Sequence, residues 1–177
     1  MNDVEALRFQ TSPTSLGEAE FMARFGGIYE HSPWVASTIW TEGVTAADAA
    51  IAHLAGRMRD VVGSAAHETR LALLRAHPEL AGKLAVAGEL TAESKSEQAG
   101  AGLDQCSAAE FERFQQLNSL YGDRFGHPFI IAVKGLDRQA ILAAFEARTS
   151  NTPEAEFATA MTEVHKIARL RLEAMGA

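Results

Sequence analysis

The chain is short of cysteine, of positive charge and of long apolar runs, and each shortage excludes a class of protein. Its single cysteine, Cys106, can form no disulfide within the chain, and one thiol is too few for a thiolate metal site. This usage indicates a reducing compartment, and we expect the cytoplasm. The formal net charge of −7 argues against nucleic acid as a partner, because phosphate contacts need clustered Lys and Arg.

No apolar run approaches the roughly 20 residues that a membrane span requires, so we expect no membrane partner. Residues 1–5 have neither the basic nor the apolar region of a signal peptide, which supports the cytoplasmic expectation. The chain also lacks His-Glu-x-x-His, paired cysteines, a glycine-rich phosphate loop and a Gly-x-Ser-x-Gly elbow. We therefore expect no metal, and chemistry without a cofactor is the simplest enzymatic interpretation.

The chain does have the helix-start signals of an all-helical protein. Residues 15–18 and 107–110 both have the Ser-x-x-Glu form of a capping box. A longer helix is expected to open at residues 45–48, and Thr91 is expected to cap another. We predict an all-α, single-domain bundle over residues 1–177, with roughly seven to nine helices. The only β-like run, residues 129–133, is interpreted as an extended segment or a buried helix start.

A polar face stands out on one of the predicted helices. Ser94, Glu97 and Gln98 are spaced i, i+3 and i+4, so a helix places a hydroxyl, a carboxylate and an amide on one side. His77 precedes Pro78, which disfavours helical geometry and predicts a helix end or a turn there. An imidazole exchanges its proton near neutral pH. The set suits a polar small molecule, but a helix-terminating histidine and solvated helix residues are the alternative interpretation.

The last predicted helix carries an arginine on its apolar side. The stripe through Met161, Val164 and Ala168 continues onto Arg171, whereas His165 is expected on the solvated side. Arginine is rarely buried without a partner. A buried carboxylate would satisfy Arg171 as a structural ion pair, and an anionic ligand would satisfy it as a binding residue.

Several runs of the chain resemble the OHCU decarboxylase family, named for 2-oxo-4-hydroxy-4-carboxy-5-ureidoimidazoline. The matching runs occur in the family's order, at residues 25–36, 77–81, 94–98, 125–131 and 163–172. Members of this family are all-α proteins, usually homodimers without a cofactor, that decarboxylate OHCU to (S)-allantoin at the end of urate oxidation. The resemblance implies this activity for the chain, with OHCU as its small-molecule partner and a second copy of itself as the expected protein partner.

The resemblance also assigns roles to individual residues. His77 is implied as the catalytic acid/base, and Glu97 as a catalytic residue that orients His77 or binds N–H groups. The implied substrate-binding positions are Pro78, Ser94, Lys95, Ser96, Glu97, Gln98, Phe129, Ile130, Ile131, Ala132, Val133 and Arg171. Arg171 would anchor the substrate, in keeping with its place on the apolar stripe. His127 is given no role.

Two other functions remain open at this stage. A non-catalytic helical module of the same fold would use its acidic surface and apolar helix faces to bind a partner protein. A lyase or hydrolase acting on another ureido compound would use the same site residues, which suit any flat, amide-rich ligand.

Overall fold

The computed structural model of the chain describes residues 7–82 and 88–176. Within these ranges the chain forms eight α-helices and three short 3-10 turns, and its only β-type pairings are two isolated bridges. The all-α prediction is therefore confirmed. The helices are α1 (Glu18–Phe25), α2 (Trp34–Glu42), α3 (Ile51–Ser64), α4 (His67–Arg75), α5 (Ala92–Gly100), α6 (Ala108–Phe125), α7 (Arg138–Arg148) and α8 (Pro153–Glu173).

The described residues divide into two compact units. The first comprises residues 7–76 and 165–176, and the second runs from residue 77 to residue 164. The single-domain prediction over residues 1–177 extends beyond the described ranges and stays a prediction. Residues 1–5, which lack the features of a signal peptide, also lie outside those ranges. No helix in the described parts is both long enough and apolar enough to cross a membrane.

The helix starts agree with the predicted caps at two of four places. The Ser107 hydroxyl caps α6 in a capping box with Glu110, and the Thr91 hydroxyl accepts the Ser94 N–H at 3.3 Å to cap α5. Ser15 does not cap α1, because it lies in a 3-10 turn and Gly17 holds the cap position. The helix predicted to open at residues 45–48 begins later, since that segment forms a 3-10 turn closed by Asp48.

The first unit has a core of aromatic and aliphatic side chains from its early helices. Phe21 and Phe25 of α1 pack with ring centroids 4.8 Å apart, and Ile39 of α2 is fully buried. Leu54 and Met58 of α3 are one turn apart and equally buried, which is the spacing expected of a core-facing helix side.

The second unit has its own apolar cluster, which includes two stretches that are not helical. Leu80 and Ala81 contribute from the segment after Pro78, and Phe129 and Val133 contribute from residues 129–133. Phe129 stacks on Phe145 of α7, with the ring centroids 3.9 Å apart. Residues 129–133 belong to no helix or strand, so the alternative of a buried helix start is wrong.

A buried ion pair lies beside this cluster. The Arg148 guanidinium at the end of α7 donates to the Glu156 carboxylate of α8 at 3.0 Å, and Glu156 also accepts from Tyr121 and Asn151. Burial raises the pKa of Glu156, but the Arg148, Tyr121 and Asn151 hydrogen bonds outweigh it and leave the pKa below its usual value. The Arg148 guanidinium also lies 4.3 Å from the centroid of the Phe129 ring.

Removing one partner of this pair is expected to cost much more stability than removing one partner of an exposed pair. Glu156→Ala leaves a buried guanidinium without its carboxylate and should lower the free energy of unfolding by about 3–5 kcal/mol. Glu146→Ala breaks the exposed Arg113–Glu146 pair of the same unit and should cost about 1 kcal/mol or less. Urea unfolding of both variants measures the difference, and equal losses would contradict the stabilising role given to Glu156.

Candidate functional site

His77 and Pro78 lie directly after a helix, as the sequence predicts. Helix α4 ends at Arg75, and residues 77–79 have no helical geometry. The His77 side chain is half-buried and Pro78 is buried. The imidazole therefore lies just after the end of a helix, partly shielded from water but not enclosed in an apolar core.

Helix α5 presents the predicted polar face. Ser94 and Gln98 are buried and Glu97 is half-buried, so the three side chains share the inward side of the helix. The alternative that Glu97 and Gln98 are solvated helix residues is therefore wrong for Gln98, whereas Glu97 is partly exposed. Lys95 and Ser96 are exposed on the outward side. Their implied part in substrate binding stays a prediction.

The Gln98 amide ties this face to the segment that follows His77. Gln98 Nε2 donates to the Glu79 carbonyl at 3.3 Å, and Gln98 Oε1 accepts the Ala81 N–H at 3.1 Å. A primary amide has two N–H groups and an oxygen with two lone pairs. These two bonds use half of that capacity, so the same side chain can hold the backbone and still bind a ligand.

Helix α6 holds the same segment from a second direction. Gln115 Nε2 donates to the Ala81 carbonyl at 2.7 Å, and Asn118 Nδ2 donates to the Leu80 carbonyl at 2.9 Å. We call the three side chains Gln98, Gln115 and Asn118 the amide clamp. Sequence reasoning missed Gln115 and Asn118. A signal was present, because Asn118 interrupts an apolar stripe that includes Phe114 and Leu117.

Residues 129–133 are held in a comparable way by charged side chains. Arg148 Nη1 donates to the Ile130 carbonyl at 2.8 Å, and the Glu163 carboxylate of α8 accepts the Ala132 N–H at 2.8 Å. Ile131 is half-buried between these two fixed backbone groups. Because Leu80, Ala81, Phe129 and Val133 share one apolar cluster, the second unit brings both non-helical stretches to a common core.

Arg171 has the buried carboxylate partner that sequence reasoning left open. It is 7% exposed in the first unit, and its Nη2 donates to the equally buried Glu30 carboxylate at 3.2 Å. Its Nη1 lies 3.4 Å from the Ile28 carbonyl. The structure thus supports the ion-pair alternative, and substrate anchoring by Arg171 stays a prediction.

His165 departs from its predicted place on a solvated helix side. It is half-buried, and its Nδ1 lies 2.8 Å from the Tyr29 hydroxyl. Burial, reinforced by the positive charge of Arg59, lowers the pKa of His165 to about 4. Burial also raises the pKa of Tyr29. At neutral pH the pair is therefore an uncharged hydrogen bond in the first unit.

The described residues offer no obvious metal site. No group of three or more His, Cys, Asp or Glu side chains within residues 7–82 and 88–176 is arranged to hold an ion. The polar groups gathered in the second unit are instead an imidazole, a hydroxyl, a carboxylate and several amides. This set can bind a ligand rich in hydrogen-bonding groups and can transfer a proton.

Comparison with known proteins supports an assignment for nearly the whole chain. Residues 14–173 match the family model described as OHCU decarboxylase. A 2-oxo-4-hydroxy-4-carboxy-5-ureidoimidazoline decarboxylase of Haloferax volcanii is 43% identical over 157 residues, covering 89% of this chain and 89% of the relative.

Two solved structures share the fold. A crystal structure of (S)-allantoin synthase superposes with a TM-score of 0.73 and 35% identity, covering 92% of this chain. The chain spans 52% of the length of that synthase. A crystal structure of OHCU decarboxylase in the presence of (S)-allantoin gives a TM-score of 0.65 and 27% identity, covering 88% of this chain and 96% of the other.

The low pKa of His165 makes stability depend on pH in a defined window. The unfolded chain protonates this imidazole near its ordinary pKa of 6.5, whereas the folded chain does so only near 4. Stability should therefore fall as pH drops through this window and be fully retained above it. We expect wild type to lose more unfolding free energy than His165→Asn between about pH 7 and about pH 5. Urea unfolding at both pH values tests this, and parallel losses would contradict it.

Proposed function

This chain belongs to the OHCU decarboxylase family, and we propose that it decarboxylates OHCU to (S)-allantoin in the breakdown of urate. The observation that carries the site proposal is the bridge made by Gln98. Its two hydrogen bonds join the segment that follows His77 in sequence to the helix face that bears Ser94 and Glu97. Family membership supplies the substrate, and the bridge supplies a local reason why these residues act together.

The reaction makes specific demands on the site. The bond between the ring carbon and its carboxylate breaks, its electron pair stays on that carbon, and carbon dioxide leaves. The electron pair must spread into the neighbouring π-system, which reaches the ureido-bearing carbon. The 4-hydroxyl then gives up its proton as its carbon becomes the ring carbonyl, and a proton must reach one face of the ureido-bearing carbon. The site therefore needs a proton carrier and groups that fix the ring, and it has no need to form a covalent bond to substrate.

His77 is the proposed proton carrier. An imidazole can accept and return a proton near neutral pH, which suits both removal of the 4-hydroxyl proton and protonation of the ureido-bearing carbon. Its half-buried position limits the access of water to the proton that it delivers. Delivery from a fixed side chain to one face gives a single enantiomer, whereas water protonates both faces.

The polar face of α5 is proposed to hold the substrate. Gln98 retains an N–H and a lone pair for the amide-like edges of the ureido and ring groups, and the Ser94 hydroxyl adds a donor and acceptor. Glu97 orients His77 or accepts ureido N–H groups. The negative charge of Glu97 destabilises the nearby substrate carboxylate in the ground state. It destabilises the transition state less, because the substrate carboxylate is then becoming neutral carbon dioxide.

Pro78 and residues 129–133 are proposed as walls of the same site. Pro78 is buried beside His77, and the extended segment is fixed at the Ile130 carbonyl and the Ala132 N–H. A wall that is already fixed loses little conformational entropy when substrate binds. Binding energy is then available for orienting the carboxylate that leaves.

The homodimer and the cytoplasmic location are also part of the proposal. The homodimer rests on the family resemblance. The cytoplasmic location rests on the composition of the chain, since the single cysteine agrees with a reducing compartment.

The first test is removal of the imidazole. His77→Ala should lower the rate by about a hundredfold or more, because general acid–base catalysis by one side chain is worth that much. Circular dichroism of freshly oxidised urate, with urate oxidase and hydroxyisourate hydrolase present, follows the appearance of optically active allantoin. His53→Ala removes an exposed imidazole of α3 and serves as the control. A fully active His77→Ala protein would refute the role of His77.

The second test separates the two roles left open for Arg171. Arg171→Lys keeps the charge but cannot donate two parallel N–H bonds to an oxyanion. If Arg171 anchors the substrate, KM should rise about tenfold or more, since a hydrogen bond to a charged group contributes about 1.5–3 kcal/mol. Arg169→Lys, in the less buried Arg169–Glu173 pair of the same helix, should leave KM unchanged. Lower stability with an unchanged KM would assign Arg171 a structural role, with Glu30 as its ion-pair partner.

A further inference from the structure

We infer that the amide clamp (Gln98, Gln115 and Asn118) is a positioning device that sets His77 against Glu97. Within it, Gln115 and Asn118 act only through the backbone. This inference rests on the proposed function, because it concerns the geometry of the same proton transfer. It adds two residues of α6 that neither the sequence patterns nor the family resemblance assigned to the site.

The clamp holds consecutive backbone groups. Its members bond the carbonyls of Glu79, Leu80 and Ala81 and the N–H of Ala81. The segment it holds is a tight turn. Ala81 has a φ of +47°, and a Cβ on Gly82 would lie 2.7 Å from the Cβ of Glu79. A non-glycine residue in the left-handed region is strained, so the turn requires such bonds to keep its shape.

The position of the turn in the chain gives the clamp its effect on His77. Only Pro78 separates His77 from the clamped residues, and the proline ring restricts its own φ and the conformation of the residue before it. Fixing Glu79 therefore leaves the His77 backbone little freedom. Gln98 follows Glu97 on α5, so its two bonds link the backbone that follows His77 to the helix that carries Glu97.

Stability alone does not account for Asn118. Its Nδ2 bonds the Leu80 carbonyl, but its Oδ1 is buried without a hydrogen-bond partner among the described residues. Burying an unpaired amide oxygen is unfavourable, and this penalty offsets the stability gained by pairing the Leu80 carbonyl, so a leucine of similar shape would give comparable stability. What leucine cannot do is fix the Leu80 carbonyl by a directed bond. The side chain is therefore suited to setting geometry more than to adding stability.

The test compares neighbouring glutamines on α6. Gln115→Met keeps the length of the side chain and its helix propensity but removes the donor to the Ala81 carbonyl. Gln116→Met makes the same change on the exposed side. We expect kcat of Gln115→Met to fall about tenfold or more with little change in KM, because misplacing a catalytic group slows the chemical step. Gln116→Met should retain wild-type kcat and KM.

Amide hydrogen exchange gives a readout that global destabilisation would not produce. In Gln115→Met the Ala81 N–H should exchange faster, while the core amides of α6 keep their protection. Asn118→Leu provides a second variant. The penalty of the unpaired Leu80 carbonyl and the relief of the buried amide oxygen offset each other, so Tm should change little while kcat falls.

Each result has a distinct meaning. Lower kcat with unchanged KM and faster exchange at Ala81 supports the inference. Wild-type kcat in both Gln115→Met and Asn118→Leu overturns it and leaves the proposed function intact. Loss of protection throughout α6 in step with kcat also overturns it, because the clamp would then only stabilise the fold. Absence of OHCU turnover by the unaltered protein overturns the proposed function itself, and with it the catalytic meaning of the clamp.

Discussion

The second unit depends on providing hydrogen-bond partners for the backbone N–H and carbonyl groups of two short stretches that are not helical. A helix pairs its own N–H and carbonyl groups, but residues 79–81 and 129–133 do not, and both stretches contribute to a buried cluster. Buried backbone groups without partners are costly, so neighbouring helices supply side chains that bond them. Amides do so at residues 79–81, and Arg148 with Glu163 do so at residues 129–133.

This constraint also explains why charged groups are tolerated beside the core. Arg148 reaches the Ile130 carbonyl only by burying most of its guanidinium, which would be unfavourable alone. Glu156 compensates its charge, and Tyr121 and Asn151 occupy further lone pairs of that carboxylate. One requirement for a backbone partner thus leads to a four-residue polar network between α6, α7 and α8.

Much of the fold and part of the site could be predicted from the sequence. Periodicity and caps gave the helical class, the position of His77 at a helix end and the shared face of Ser94, Glu97 and Gln98, because these depend on neighbours within a few residues. The pairing of Gln115 with Ala81 spans 34 residues, and that of Arg171 with Glu30 spans 141. Such contacts depend on tertiary packing, and a single sequence carries no local signal that names the partner. His165 was misplaced for the same reason, since Tyr29 lies 136 residues away.

Hydrogen bonds are better suited than apolar packing to fixing a proton-transfer residue that lies just after the end of a helix. Apolar contacts have no preferred direction, and a core accepts shifts that keep its volume. A hydrogen bond weakens steeply when its angle departs from linearity, so bonds to adjacent backbone groups define both position and orientation. A histidine deep in the core would be held firmly, but it would also be cut off from substrate, and desolvation would lower its pKa. Holding the backbone behind His77 instead leaves its imidazole half-buried, where it can meet a ligand and still be placed accurately.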